Sequence, residues 1–256
     1  RKGDGMEGFE GARVVITGAG GGLGRVLVAR FAAAGARVVA CDIEGAELAQ
    51  EGIAERHRFD LRDLGATRAA LGAILAGGAP AVVVANAGWT RAETLDMLDP
   101  GRLRAEMDLN FTAAAEITLG CARAMRGASG NRAIVAISSV NALSHHGNPA
   151  YSAAKAALMA WVRALAVEEG PHGIRANSVV PASIRTGAWE ERLARDPAIL
   201  ERLRAIYPLG RIVTPDEVAS AVLFLASPLA SGITGTSLLV DAGLVAGNLP
   251  FLDAIR

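Results

Sequence analysis

The stretch ARVVITGAGGGLG, residues Ala12–Gly24, decides the fold. Its first half is a continuous Val/Ile run, the composition of a strand buried on both faces of a parallel sheet. Its second half is glycine-rich and passes straight into GRVLVARFAAAGA, a helical pattern. Glycines between a buried strand and a helix let the backbone approach an anion closely. The helix start then offers unpaired N–H groups and a positive dipole end. Gly18, Gly22 and Gly24 therefore predict a phosphate-binding turn in the first unit of an α/β sheet.

Working outward, ARVVACD (Ala36–Asp42) is a second strand, and its last residue lies eighteen positions after Gly24. A carboxylate at that place can accept hydrogen bonds from an adenosine ribose and repels a 2′-phosphate. Gly21 in the loop and Ile43 after the strand supply no basic group. These features favour NAD over NADP. Four more apolar runs read as strands: Ala81–Gly88, Arg132–Ser139, Gly173–Val180 and Gly235–Asp241, with a weaker one around Glu55–Leu61. Helical patterns fall between them over Leu64–Leu75, Arg102–Met125, Pro149–Glu169 and Pro215–Ala226. Such alternation predicts an α/β fold: a doubly wound parallel sheet, Rossmann-like, in a single three-layer αβα domain.

Composition narrows the partners. Lys+Arg and Asp+Glu balance at 26 each with no basic run, which argues against nucleic acid and anionic membrane. Cys41 and Cys121 sit far apart in apolar contexts and read as free thiols of a reducing, cytoplasmic compartment. Val218–Val240 carries no charge, but Ser227-Pro228 and the Ser/Gly/Thr-rich part after it break any spanning helix. Residues 1–10 are expected to be a disordered lead or a cloning remnant.

The chemistry gathers in SSVNALSHHGNPAYSAAK, Ser138–Lys155. Asn148 and Pro149 suit an N-cap and first helical position. A four-residue spacing puts Tyr151 and Lys155 on one helix face. A cation one turn away favours the phenolate, which makes Tyr151 a candidate acid/base.

At this point the chain resembles the shorter, single-domain branch of the short-chain dehydrogenases/reductases, over roughly Gly11–Asp241. The motifs are TGAGGGLG, Asp42, Asp60-Leu61, NAG (Asn86–Gly88), Asn110 in MDLNFTAAAE, ISS (Ile137–Ser139), Tyr151-x-x-x-Lys155, NSVVP (Asn177–Pro181) with Thr186, and ITGTSLLVDAG. The resemblance implies a dehydrogenase domain over residues 11–256, with a substrate lid over about 182–211. It implies NAD held by Gly18, Gly22, Leu23, Gly24, Asp42, Ile43, Asp60, Leu61, Asn86, Ala87, Gly88, Tyr151, Lys155, Pro181, Ile184 and Thr186. Asn110 would kink the central helix and hold a water in a proton relay. A serine would position the substrate oxygen, Tyr151 would pass the proton, and Lys155 would lower its pKa while binding the nicotinamide ribose. Similar proteins often place the serine thirteen residues before the tyrosine, which selects Ser138. The local pattern ISSV selects Ser139 instead. Ser139 is the choice here, because loops lose residues more readily than strand ends change register.

Two positions depart from the pattern: Ala85 stands where an asparagine is frequent, and Ala182 follows Pro181 where glycine is common. Asn141, His146, Trp89 and Trp189 are candidate substrate contacts. His145 and His146 lack a third ligand at useful spacing, so no metal is expected. The expected activity is NAD-dependent hydride transfer between nicotinamide and a secondary alcohol or ketone, on a small hydroxylated substrate such as a sugar, polyol or hydroxy-ketone. The alternatives are a 3-oxoacyl-thioester reductase preferring NADPH and a dinucleotide-binding protein without turnover. Helices Arg102–Met125 and Pro149–Glu169 carry long Ala-rich apolar surfaces, and the resemblance implies that they help build a homotetramer.

Overall fold

The computed structural model describes residues 8–89 and 93–255. They form a sheet of seven parallel strands: β1 (Arg13–Thr17), β2 (Arg37–Asp42), β3 (Ile53–Arg58), β4 (Val82–Ala85), β5 (Ala133–Ile137), β6 (Arg175–Pro181) and β7 (Ser237–Val240). The order across the sheet is β3-β2-β1-β4-β5-β6-β7, so the winding reverses between β1 and β4. Successive side chains of β1 point to opposite faces. Val14 and Ile16 enter a cluster with α1 (Gly22–Ala33) and α8 (Pro215–Ala226). Val15 enters the cluster of α2 (Leu64–Ala76), α4 (Ala113–Met125) and α5 (Pro149–Glu169). Both faces are covered, which is why the strands read as unbroken apolar runs.

Three elements differ from the sequence expectation. The central helix read over Arg102–Met125 is α3 (Pro100–Met107), a π turn over Asp108–Thr112, and α4. Asp99 starts it by accepting from Gly101 N and Arg102 N. The Asn110 amide takes the Glu106 carbonyl, at 3.2 Å, in the widened turn. Asn148 does not cap α5 with its side chain; it adopts φ 53°, and its Oδ1 accepts from Glu93 N at 3.1 Å. The folded domain also takes in residues before residue 11. Phe9 is fully buried and meets Phe31 edge-on, with ring centroids 5.1 Å apart. The rest of the expected lead, residues 1–7, lies outside the described residues.

The segment expected as a lid holds α6 (Gly187–Arg195) and α7 (Ile199–Arg204). Trp189 and Tyr207 are buried in the cluster shared with α8, and the Tyr207 hydroxyl accepts from Ser183 N at 3.4 Å. No described helix is long and apolar enough to cross a membrane. Cys41 and Cys121 are both free and buried.

Candidate active site

The reversal between β1 and β4 opens a cleft at the carboxyl ends of the strands, as doubly wound sheets do. Thr17 ties its two halves together: its hydroxyl accepts from Asn86 N at 3.1 Å and Ala87 N at 3.0 Å. The Asn86 amide donates in turn to Thr17 O at 2.9 Å and Gly18 O at 3.0 Å. The resulting cavity holds about 790 Å³. Its walls include every residue to which the resemblance gave a cofactor contact.

At one end lies the glycine turn. Gly18 has φ +65°, and a methyl on Gly24 would stand 1.9 Å from Gly18 O, so neither position tolerates a side chain. A methyl on Gly22 would meet Thr186 Cβ at 2.8 Å, which places Thr186 over the start of α1. No side chain caps α1 at Gly21, and its first turn carries no acid. An uncapped helix start facing a cavity fits a pyrophosphate. Asp42 closes this end: Oδ2 accepts from Gly20 N at 2.7 Å and Oδ1 from Ile43 N at 2.8 Å.

The structure also brings two arginines to this end that spacing in sequence did not suggest. Arg58 donates to Ala46 O at 2.8 Å, and Arg62 lines the cavity while contacting Asp60 at 2.6 Å. The Arg62 guanidinium holds the Asp60 carboxyl below the usual carboxylate range.

At the other end, β5 delivers the two serines and α5 the Tyr/Lys pair. Successive residues after the strand point opposite ways. Ser138 turns inward, donating to Lys155 O at 3.1 Å. Ser139 lies beside Tyr151 and favours its phenolate, while its hydroxyl donates to Asn141 Oδ1 at 3.3 Å and accepts from Asn141 N at 3.2 Å. Lys155 is buried, with Nζ donating to Ile137 O at 2.8 Å and lying 5.6 Å from the centre of the Tyr151 ring. Burial pushes Tyr151 up to about 12 and pushes Lys155 down to about 8. The sequence reading has the nearby cation lower the phenol; in this site the loss of water dominates, and the pull downward comes from Ser139. Asn110 is fully buried beside them, its Oδ1 accepting from Trp89 N at 3.2 Å.

The substrate candidates divide. Trp89, 56% exposed, lines the cavity. Asn141 stands behind Ser139 rather than in the wall, and exposed His146 does not line the cavity. Trp189, on α6, packs into the core cluster shared with α8, and Arg192 lies over its ring at 5.0 Å. Among the described residues no cluster of three or more His, Cys, Asp and Glu could hold a metal.

This geometry can be set beside known proteins. The family model described as enoyl-(acyl carrier protein) reductase matches residues 18–245. An oxidoreductase of the short-chain dehydrogenase/reductase family from Burkholderia thailandensis superposes with TM-score 0.86 at 40% identity, covering 96% of this chain and 97% of that one. The chain is a short-chain dehydrogenase/reductase. An oxidoreductase of Schizosaccharomyces pombe is 38% identical over 93% of each chain. Carbonyl reductase [NADPH] 2 of Sus scrofa is 33% identical, over 93% of this chain and 98% of its own. As a family member the chain is an oxidoreductase acting on CH–OH or carbonyl groups with a nicotinamide cofactor. Two residues of this short-chain dehydrogenase/reductase site have no signal of their own in the sequence, Arg62 at the cavity edge and Glu106, whose Oε2 accepts from Asn110 Nδ2 at 2.8 Å. Thr17 opens the TGAGGGLG motif, but its clamp on Asn86 and Ala87 shows only in the fold.

Proposed function

We propose that this protein is an NAD-dependent oxidoreductase interconverting a secondary alcohol and a ketone, with a small polar hydroxylated substrate such as a sugar, polyol or hydroxy-ketone. One observation carries the reading. A single cavity joins the Asp42-closed glycine turn to Tyr151 flanked by the buried Ser139 and Lys155. The glycine turn and the start of α1 would hold the pyrophosphate, Asp42 the adenosine ribose, and Lys155 the nicotinamide ribose. The bound nicotinamide supplies the hydride acceptor or donor. Tyr151 Oη exchanges a proton with the substrate oxygen, and the Ser139 hydroxyl holds that oxygen in place. In reduction Tyr151 gives the proton to the forming alkoxide; in oxidation it takes the alcohol proton. A panel of alcohols and ketones with each cofactor, followed by nicotinamide absorbance, tests the reading; turnover with none of them would sink it.

The serine assignment has its own test. Ser139→Ala should lower kcat more than Ser138→Ala does. Ser138 serves the carbonyl of Lys155 and should act through stability instead. Equal kcat losses in two well-folded variants would remove Ser139 from the reaction.

A second reading, a 3-oxoacyl-thioester reductase using NADPH, is favoured by Arg58 and Arg62 beside the adenosine end. Both arginines already have partners, which favours the first. A homotetramer is part of the proposal, supported by apolar side chains left exposed on α5, after α8 and on β7: Val167, Leu229 and Leu239. Light scattering at micromolar concentration should give a mass above one chain; a single-chain mass would contradict it.

A further inference from the structure

We infer that Glu106 is a positioning residue of this site: its carboxylate fixes the amide of Asn110 with Oδ1 turned toward Lys155. The inference rests on the reading above for the reaction, while its geometry stands independently. Glu106 lies in the last turn of α3 and is 7% exposed, an unusual place for a carboxyl group. Asn110, one turn on, donates from Nδ2 to Glu106 Oε2 at 2.8 Å and to Trp89 O at 3.0 Å. A carboxylate accepts but does not donate, so only one orientation of the amide satisfies it. That orientation sends Oδ1 to Trp89 N and to the space over Gly88. A methyl on Gly88 would lie 2.9 Å from Asn110 Oδ1 and 3.1 Å from Lys155 Nζ. The carbonyl of one and the ammonium of the other thus share a single point of the cavity wall.

The charge acts on the same pair. Lys155 and Tyr151, both on α5, feel the Glu106 carboxylate. On its own helix Arg102 and Arg104 are exposed, Asp108 follows in the π turn, and Asn86–Trp89 bring no ionisable side chain. Burial drags Lys155 down to about 8 and Glu106 opposes it; for Tyr151 the two act together. Removing the charge therefore moves both titrations to lower pH.

The composition provides a direct readout. The chain holds only two lysines, Lys2 and Lys155. NMR of isotope-labelled lysine in the cofactor-free protein follows Lys155 as the signal that Lys155→Arg abolishes. Glu106→Gln keeps the shape and removes the charge. It should lower the Lys155 midpoint by on the order of one pH unit, and the acid limb of kcat/KM for alcohol oxidation should shift the same way. Glu106→Asp keeps the charge and should leave the midpoint near wild type while lowering kcat more than it changes KM for cofactor. It carries the test if the Gln variant does not fold. An unchanged or raised Lys155 midpoint in Glu106→Gln, or a fall in Glu106→Asp as large, overturns the inference. A wild type without turnover but with the Lys155 shift intact would sink the oxidoreductase reading and leave the effect of Glu106 on Lys155 standing.

Discussion

Tyr151→Phe is expected to fold, bind NAD and lose at least ~10²-fold in turnover, the usual scale for a positioned acid/base. The substitution removes one oxygen and leaves the ring over which Lys155 lies. Lys155→Ala should be comparably inactive and should also bind cofactor less well, because its Nζ is anchored at the cavity wall by Ile137 O. The environment of the phenol adds a direction with pH. Burial holds it protonated, with a pKa pushed up to about 12 before any cofactor enters. Carbonyl reduction, which needs the acid, should therefore run across neutral pH. Alcohol oxidation needs the base, so its rate should climb as pH rises. The positive charge of oxidised nicotinamide lowers the phenol and brings that climb to lower pH. Near-normal turnover in Tyr151→Phe, measured beside wild type with one substrate, would take Tyr151 out of the mechanism.

The other large effect concerns cofactor choice. Asp42 is expected to accept from ribose hydroxyls, each charge-assisted contact being worth roughly 1.5–3 kcal/mol. Losing one such contact and placing a phosphate beside the carboxylate should weaken NADP on the order of 10²-fold or more. Asp42→Ala should erase most of that discrimination, chiefly by weakening NAD. A basic residue placed at Ile43 in that background should then favour NADP. The ratio of kcat/KM for the two cofactors in all three proteins decides the matter. If wild type prefers NADP, Asp42 serves only to hold Gly20 N and Ile43 N, and Arg58 and Arg62 take the 2′-phosphate.

What was legible in the sequence follows from what periodicity encodes. Val14, Val15 and Ile16 could be read as a doubly covered strand because all three are fully buried. The glycine turn was legible because Gly18 and Gly24 have no alternative residue in that space. Asn110 was legible only through family resemblance; an apolar pattern does not show that a turn has been widened by one residue. Glu106 was invisible for a different reason: a lone acid on a helix ordinarily faces water, and only its burial reveals otherwise. Arg58 and Arg62 are separated from Asp42 by a strand and its turn, so their approach depends on the β2–β3 pairing of Asp42 with Arg58. Asn148 holds the N-cap position and Pro149 opens α5 as the sequence suggests, but the Asn148 side chain accepts from Glu93 N instead of capping the helix, a long-range contact that local sequence does not show. The phenol of Tyr151 was assigned by counting a cation; its desolvation belongs to the assembled fold.

The pairing of β1 with β4 has a kinetic consequence. Val14 meets Val82 only after the chain has travelled through β2, β3 and α2, so the central contact of the sheet closes a long loop. Such closures are slow and come with high contact order. Thr17 can clamp Asn86 and Ala87 only once that closure is made, so no partly folded chain possesses the cleft. A dinucleotide then has nothing to bind in the unfolded ensemble and draws the equilibrium wholly toward the native state. Occupancy by a dinucleotide would then stabilise a fold already complete without it, and protease resistance gained on adding cofactor would be its signature.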